Sequence, residues 1–285
     1  MNLAPESALR VSLVQADTVW RTAAANRARY GGLLRPLAGQ TDLSVLPDTF
    51  TSGCGNEAIG EAEDMHGASV AWLRALADEV GAVVTGSMVI AEAGRVWNRL
   101  LWAEPGGGLL WYDKRHLFRM ADEHLRYGQG ESRIITRCRG WRVLPLVCYD
   151  LRFPVWSRNR VPEDGGCEYD LALYVANWPS ARRYAWRTLL RARAIENLAC
   201  VVGVNRVGTD GNGFHYAGDS AALDPLGQPL VELGEQPQVV TVTLSADGLR
   251  TQSTRPSTHD GSPFSFNAHS QTVAMRHPAA FNAAP

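Results

Sequence analysis

Cys148 closes the apolar run that begins at Val143 and is followed at once by the polar segment from Tyr149 to Pro154. A buried strand that stops on a thiol and turns into a polar, helix-starting segment puts the sulfur at the strand's carboxyl end. The backbone N–H groups of the next turn can there lower its pKa and hold an oxyanion. A small buried hydrophobe is the ordinary alternative for a free cysteine. Two other strand-like runs end on charge. Residues 43–46 lead into Pro47, Asp48 and Thr49, and residues 109–112 lead into Asp113, Lys114 and Arg115. If these strands are parallel neighbours, or their ends converge, an acid, an ammonium and a thiol meet in one cleft. Taken singly, Asp48 also reads as a turn or cap residue and Lys114 as part of a solvated basic turn.

The elements needed to position these groups are legible in outline. Strand patterns at 11–15, 43–46 and 83–89 alternate with helical stretches at 22–37 and 69–80, a βαβα opening. Residues 96–103 and 109–112 flank a Gly-rich turn and read as a hairpin, so antiparallel strands join the sheet. After the Cys148 strand come a strand at 171–176, a helix at 181–198, a strand at 200–205 and short strands near 220–223, 229–233 and 239–244. Such runs suit an α/β fold in which each sheet carries helices on one face and a second sheet on the other.

Composition narrows the function. The 285 residues include 28 Lys plus Arg against 29 Asp plus Glu, so no basic surplus exists to neutralise a nucleic-acid backbone. No apolar stretch approaches the roughly 20 residues of a membrane helix, and the first ten residues lack the apolar core of a signal peptide. The expectation is a cytoplasmic protein without nucleic-acid or membrane partners. Five cysteines, Cys54, Cys138, Cys148, Cys167 and Cys200, are odd in number and widely spaced, which fits reduced thiols better than disulfides or a zinc knuckle. The chain reads as one domain over 1–285, with a tail at 251–285 rich in Ser, Thr, His, Asn, Pro and Ala that lies over the surface or a neighbouring subunit.

Six segments, LPDTF at Leu46, YDKRHLF at Tyr112, EHLRYGQG at Glu123, CYDLRFP at Cys148, ANWP at Ala176 and RARAIEN at Arg191, together resemble the nitrilase superfamily of carbon–nitrogen hydrolases. The likeness is greatest to its bacterial ω-amidase branch, which acts on 2-oxoglutaramate and related ω-amides of 2-oxo acids. The resemblance implies a four-layer αββα sandwich with mixed sheets, assembled as a dimer or larger oligomer. It also implies Cys148 as nucleophile, Lys114 as the catalytic lysine and Glu123 as the additional glutamate. The general base of the family pattern is a glutamate, and here the position holds Asp48. One methylene fewer withdraws the carboxylate by about 1.3–1.5 Å, and misplacing a catalytic group by roughly 1 Å can cost about a hundredfold.

The residue types suit amide hydrolysis in their own right. An amide is a poor electrophile with a poor leaving group, so it needs a strong nucleophile, an oxyanion stabiliser and a proton donor for the departing nitrogen. Cys148 would attack and Asp48 would shuttle protons. Lys114 and the backbone N–H of Tyr149 would hold the tetrahedral oxygen, with Glu123 fixing Lys114 or the amide. No step requires a metal or cofactor, and no metal-ligand spacing is present. A substrate carboxylate needs a cation, for which Arg152 is the first candidate and Arg119 the second; an ion pair with Asp150 is the competing role for Arg152. Trp178 either walls the pocket or packs in the core. The arginines of helix 181–198 read as structural, with Leu189, Leu190, Ala194 and Ile195 buried and Arg191 and Glu196 paired. His116 and His215 read as hydrogen-bonded structural histidines. Two other functions stay open: an impaired member acting as a binding protein, because of Asp48, and another activity of the same superfamily.

Overall fold

The computed structural model describes residue 5 and residues 7–161, 166–246 and 249; the tail expected at 251–285 lies outside the described residues. All the elements below belong to the first of two units, Met1–Thr254. In chain order they are β1 (Leu9–Gln15), α1 (Ala23–Leu34), β2 (Leu43–Val45), α2 (Ala68–Val80), β3 (Val83–Glu92), β4 (Arg95–Ala103) and β5 (Leu109–Asp113). Then follow β6 (Thr136–Cys138), β7 (Trp141–Val147), α3 (Pro154–Ser157), β8 (Leu171–Ala176), α4 (Arg183–Asn197) and β9 (Cys200–Asn205). The last are β10 (Val207–Thr209), β11 (His215–Ala217), β12 (Ala221–Leu223), β13 (Pro229–Glu232) and β14 (Gln238–Leu244).

The strands form two six-stranded mixed sheets, β14-β1-β2-β3-β4-β5 and β13-β12-β9-β8-β7-β6, with β10 and β11 as a separate hairpin. Strand alternation sorts the side chains of the first sheet. Leu100 and Trp102 of β4, with Val11 and Leu13 of β1, join one core with Val143, Val147, Leu173 and Val202 of the second sheet. Leu101 and Ala103 point the other way, into a core with Leu73, Leu76 and Val80 of α2 and Tyr30 and Leu34 of α1. On the second sheet's far side, α4 contributes Trp186, Leu190 and Ala194. The result is the four-layer αββα arrangement. Among the described residues, no helix is long and apolar enough to cross a membrane.

The sheet order decides between the two expected arrangements and completes other expectations. β2 and β5 are not neighbours, since β3 and β4 separate them, and β7 lies in the other sheet. The convergence arises differently. β2 and β3 are parallel, and β4 runs antiparallel to both β3 and β5, so β2 and β5 point the same way. The short strand β6 and the β10–β11 hairpin went unseen, because three-residue strands carry too few positions to establish alternation. The helix expected at 22–37 ends at Leu34, where Pro36 turns the chain into a 3₁₀ segment, Arg35–Leu37.

α4 is structural, as expected, with different partners. Arg191 pairs with Glu232, and Glu196 pairs with Arg193 at 2.8 Å. Ile195, expected to be buried, is 54% exposed. The helix lies so close to β9 that a Cβ on Gly203 would stand 2.7 Å from Leu190 Cδ1 and 2.9 Å from Trp186 Cζ2. Both neighbours are buried, so neither can yield without moving the helix. Gly203→Ala should therefore destabilise the fold by about 1–3 kcal/mol. An unchanged melting temperature would show that the α4 layer is more compliant than this packing implies.

Candidate active site

Cys148 follows the last residue of β7 with φ 44°, a left-handed conformation that a side-chain-bearing residue adopts at a cost of about 1–2 kcal/mol. The fully buried Asp150 carboxylate holds the turn in place. Its Oδ2 accepts from the Val147 N–H at 3.0 Å and the Tyr112 hydroxyl at 2.8 Å. Its Oδ1 accepts from the His116 N–H at 2.9 Å and lies 2.7 Å from His116 Nδ1. The His116 ring stacks on Phe153 at 3.6 Å. Asp150 thus straps the end of β7 to the segment after β5, and His116 is structural, as expected. The carboxylate is committed to this network, so Asp150 does not pair with Arg152.

Lys114 is the first residue beyond β5 and is 1% exposed. Its N–H donates to Asn98 O at 2.9 Å, continuing the pairing with β4. Its Nζ lies 2.8 Å from Glu123 Oε2, which also accepts the Phe118 N–H at 2.8 Å. Burial by itself would lower the Lys114 pKa, but Glu123, with Cys148 and Asp48 behind it, outweighs burial and raises it well above the ordinary lysine value. Lys114 is a fixed ammonium.

Asp48 lies beyond β2 and is fully buried. Oδ1 accepts from Ser87 Oγ at 2.5 Å and Asn98 Nδ2 at 2.9 Å, whereas Oδ2 is buried without a hydrogen-bond partner. One oxygen is anchored and the other is free to take a proton. Burial raises the Asp48 pKa against the opposing pull of Lys114. Asn98 therefore positions Lys114 through its carbonyl and Asp48 through its amide.

Asn177, at the end of β8, ties the third strand end in. Its Nδ2 donates to Asp48 O and to Thr49 Oγ1, both at 2.7 Å. Its carbonyl accepts from Cys148 Sγ at 3.8 Å. Burial pushes the Cys148 thiol up to about 12, with Lys114 pulling against it, so the sulfur rests as a thiol.

These ends open on a cavity of about 470 Å³, a size suited to a small-molecule ligand. Lys114, Glu123, Cys148, Tyr149, Arg152 and Trp178 line it. Asp48, fully buried, is not among the residues that line it. Arg119, the second expected carboxylate-binding residue, is exposed on a 3₁₀ turn, Arg119–Ala121, and lies outside the lining. Trp178 combines both of its expected roles, facing the cavity while packing on Trp186 at 5.6 Å. Sequence reasoning missed Ser87, Asn98, Asn177, Cys54 and Arg182. Ser87 and Asn98 sit inside strands and nothing local marks them. Asn177 belongs to the ANWP motif without an assigned role, Cys54 reaches the cavity from a loop, and Arg182, expected to be one of the structural arginines of helix 181–198, instead ends a 3₁₀ turn, Ser180–Arg182, whose position before α4 lets it line the cavity.

Residues 10–253 match the family described as carbon-nitrogen hydrolase. The chain is 51% identical to omega-amidase YafV of Escherichia coli (strain K12) over 221 residues, 77% of this chain and 83% of that one. It is 30% identical to 2-oxoglutaramate amidase of Bacillus subtilis (strain 168) over 233 residues, 81% of this chain and 88% of that one. The crystal structure of XC1258 from Xanthomonas campestris, a CN-hydrolase superfamily protein with an arsenic adduct in its active site, is 60% identical with a TM-score of 0.85, covering 86% of this chain and 94% of that one. A half-buried thiol, an ammonium and a carboxylate gathered at strand ends in this sandwich, together with these matches, place the chain in the carbon-nitrogen hydrolase family.

Proposed function

We propose that the protein is a cysteine amidase that hydrolyses the ω-amide of a small 2-oxo acid, 2-oxoglutaramate or 2-oxosuccinamate, to the dicarboxylate and ammonia through a thioester. The observation that carries the reading is the left-handed turn presenting Cys148 to a cavity that also holds the Lys114–Glu123 pair. Similarity to an omega-amidase and a 2-oxoglutaramate amidase supports the substrate class. Five free cysteines fit a reducing, cytoplasmic setting, and a homodimer or larger oligomer is the assembly we infer.

In this mechanism the Cys148 sulfur attacks the carboxamide carbon as its proton passes to Asp48. Lys114 and the Tyr149 N–H stabilise the oxygen that becomes negative in the tetrahedral intermediate. Collapse of the intermediate breaks the carbon–nitrogen bond, and the proton held by Asp48 leaves with ammonia. Asp48 then takes a proton from water, whose oxygen attacks the thioester carbon and releases the carboxylate and the Cys148 thiol. Burial holds the thiol protonated at rest, so its attack is coupled to proton transfer to Asp48. Glu123 keeps Lys114 charged and in place. Arg152, at the cavity mouth, is the cation for the substrate carboxylate.

Ammonia release from 2-oxoglutaramate, with an intact-mass search for an acyl adduct on Cys148, tests the reading directly. Turnover is the expected result. An adduct without turnover would mean that deacylation fails, and neither signal with any amide would leave a binding protein. Asp48→Glu should raise kcat by about tenfold or more, because the longer side chain brings the carboxylate forward to the lining. An unchanged or lower rate would show that the aspartate is adapted to its depth. The protein needs Asp48 ionised, so kcat/KM should rise with pH through an acid limb above the ordinary aspartate value. Ser87→Ala removes a donor that favours the ionised form, and the limb should move to still higher pH. A limb that stays put would take Asp48 out of the proton shuttle.

A further inference from the structure

We propose that Arg182 is a specificity-determining residue that, beside Arg152, binds a carboxylate at the mouth of the cavity. The inference rests on the amidase reading and deepens it by naming a second cation for the far end of the substrate.

Arg152 and Arg182 both line the cavity. Each guanidinium lies over an aromatic ring, Arg152 above Trp178 and Arg182 above Phe118, with 5.0 Å to the ring centroid in each case. Neither forms an ion pair among the described residues, although Arg183, next along the chain, is committed to Asp219 and Glu235. The acids of the cavity wall are mostly engaged elsewhere. Glu123 is held by Lys114 and Phe118. Asp210 accepts from the N–H groups of Asn212 and Phe214 and from the Tyr216 hydroxyl. Glu57 accepts from Asn212 Nδ2, and no hydrogen bond or ion pair joins Asp122 to either guanidinium.

Stacking on a ring fixes the plane of a guanidinium and leaves its edge N–H groups free for a planar oxyanion. The two arginines share one wall. Arg152 covers the face of Trp178, whose Nε1 donates to the Arg182 carbonyl at 2.9 Å. Two unpaired cations against apolar rings attract a carboxylate, while the paired Lys114 and the thiol stand deeper in the same space. A molecule with an amide at one end and a carboxylate at the other matches that polarity; a neutral amide leaves the cations unanswered.

The Arg182 carbonyl is unaffected by changing its side chain, so the Trp178 anchor survives substitution. Titration calorimetry of the full chain with glutarate should show binding that Arg182→Gln weakens roughly tenfold or more, the loss expected for hydrogen bonds to a charged partner. In kinetics, the same variant should raise KM for 2-oxoglutaramate much more than KM for pentanamide, with kcat changed far less than KM. Arg182→Lys, which keeps the charge but loses the fork, should weaken glutarate measurably and carries the test if the glutamine variant does not fold. No glutarate binding by the wild type, or equal binding by the variants, overturns the inference. Glutarate binding that depends on Arg182, without preferential turnover of 2-oxoglutaramate over pentanamide, upholds the carboxylate site and overturns the substrate assignment instead.

Discussion

The left-handed turn at Cys148 is the constraint on which the site depends. A residue with a side chain at φ 44° persists only where its surroundings over-determine it, and Asp150 supplies that determination from below. Its buried carboxylate binds β7 through the Val147 N–H, and it binds β5 through Tyr112 and the segment after β5 through His116. The sulfur is therefore aimed by hydrogen bonds that join the two sheets. The same network fixes the course of the chain beyond Lys114, so nucleophile and ammonium share one support.

The charges close to one another are balanced by position rather than by number. Lys114 and Glu123 form a buried pair, and breaking such a pair would leave an isolated charge at a cost of several kcal/mol. Asp48 adds a second carboxylate, held by neutral donors on one oxygen and left open on the other. The thiol stays protonated because burial and the nearby acids outweigh the pull of Lys114. The resting arrangement thus stores its reactivity as a proton that has somewhere to go, and Asn177 holds donor and acceptor together by touching both strand ends.

The mouth follows a different rule. Inside, polar groups are fixed by protein partners; at the rim, Arg152 and Arg182 are held by aromatic faces and keep their hydrogen-bonding edges free. Glu123, through the Phe118 N–H, links the two regions, since Phe118 also carries the Arg182 stack.

Much of this was legible in the chain. The turn chemistry after 46, 112 and 147, the runs of strand residues and the apolar stripe of α4 are local, so the sequence by itself determined the α/β class, the layered sandwich and the candidates Asp48, Lys114 and Cys148, while Glu123 came from the family resemblance of its motif. The order of strands is not local. Only the tertiary structure decided that β2 and β5 are separated by two strands, that Asp48 is fully buried with one oxygen unpartnered, and that Asp150 belongs to Tyr112 and His116 rather than Arg152. It likewise decided that Arg182, rather than Arg119, reaches the mouth. Each depends on a meeting of side chains from distant segments, and such meetings are set by sheet order and packing, which no local spacing encodes.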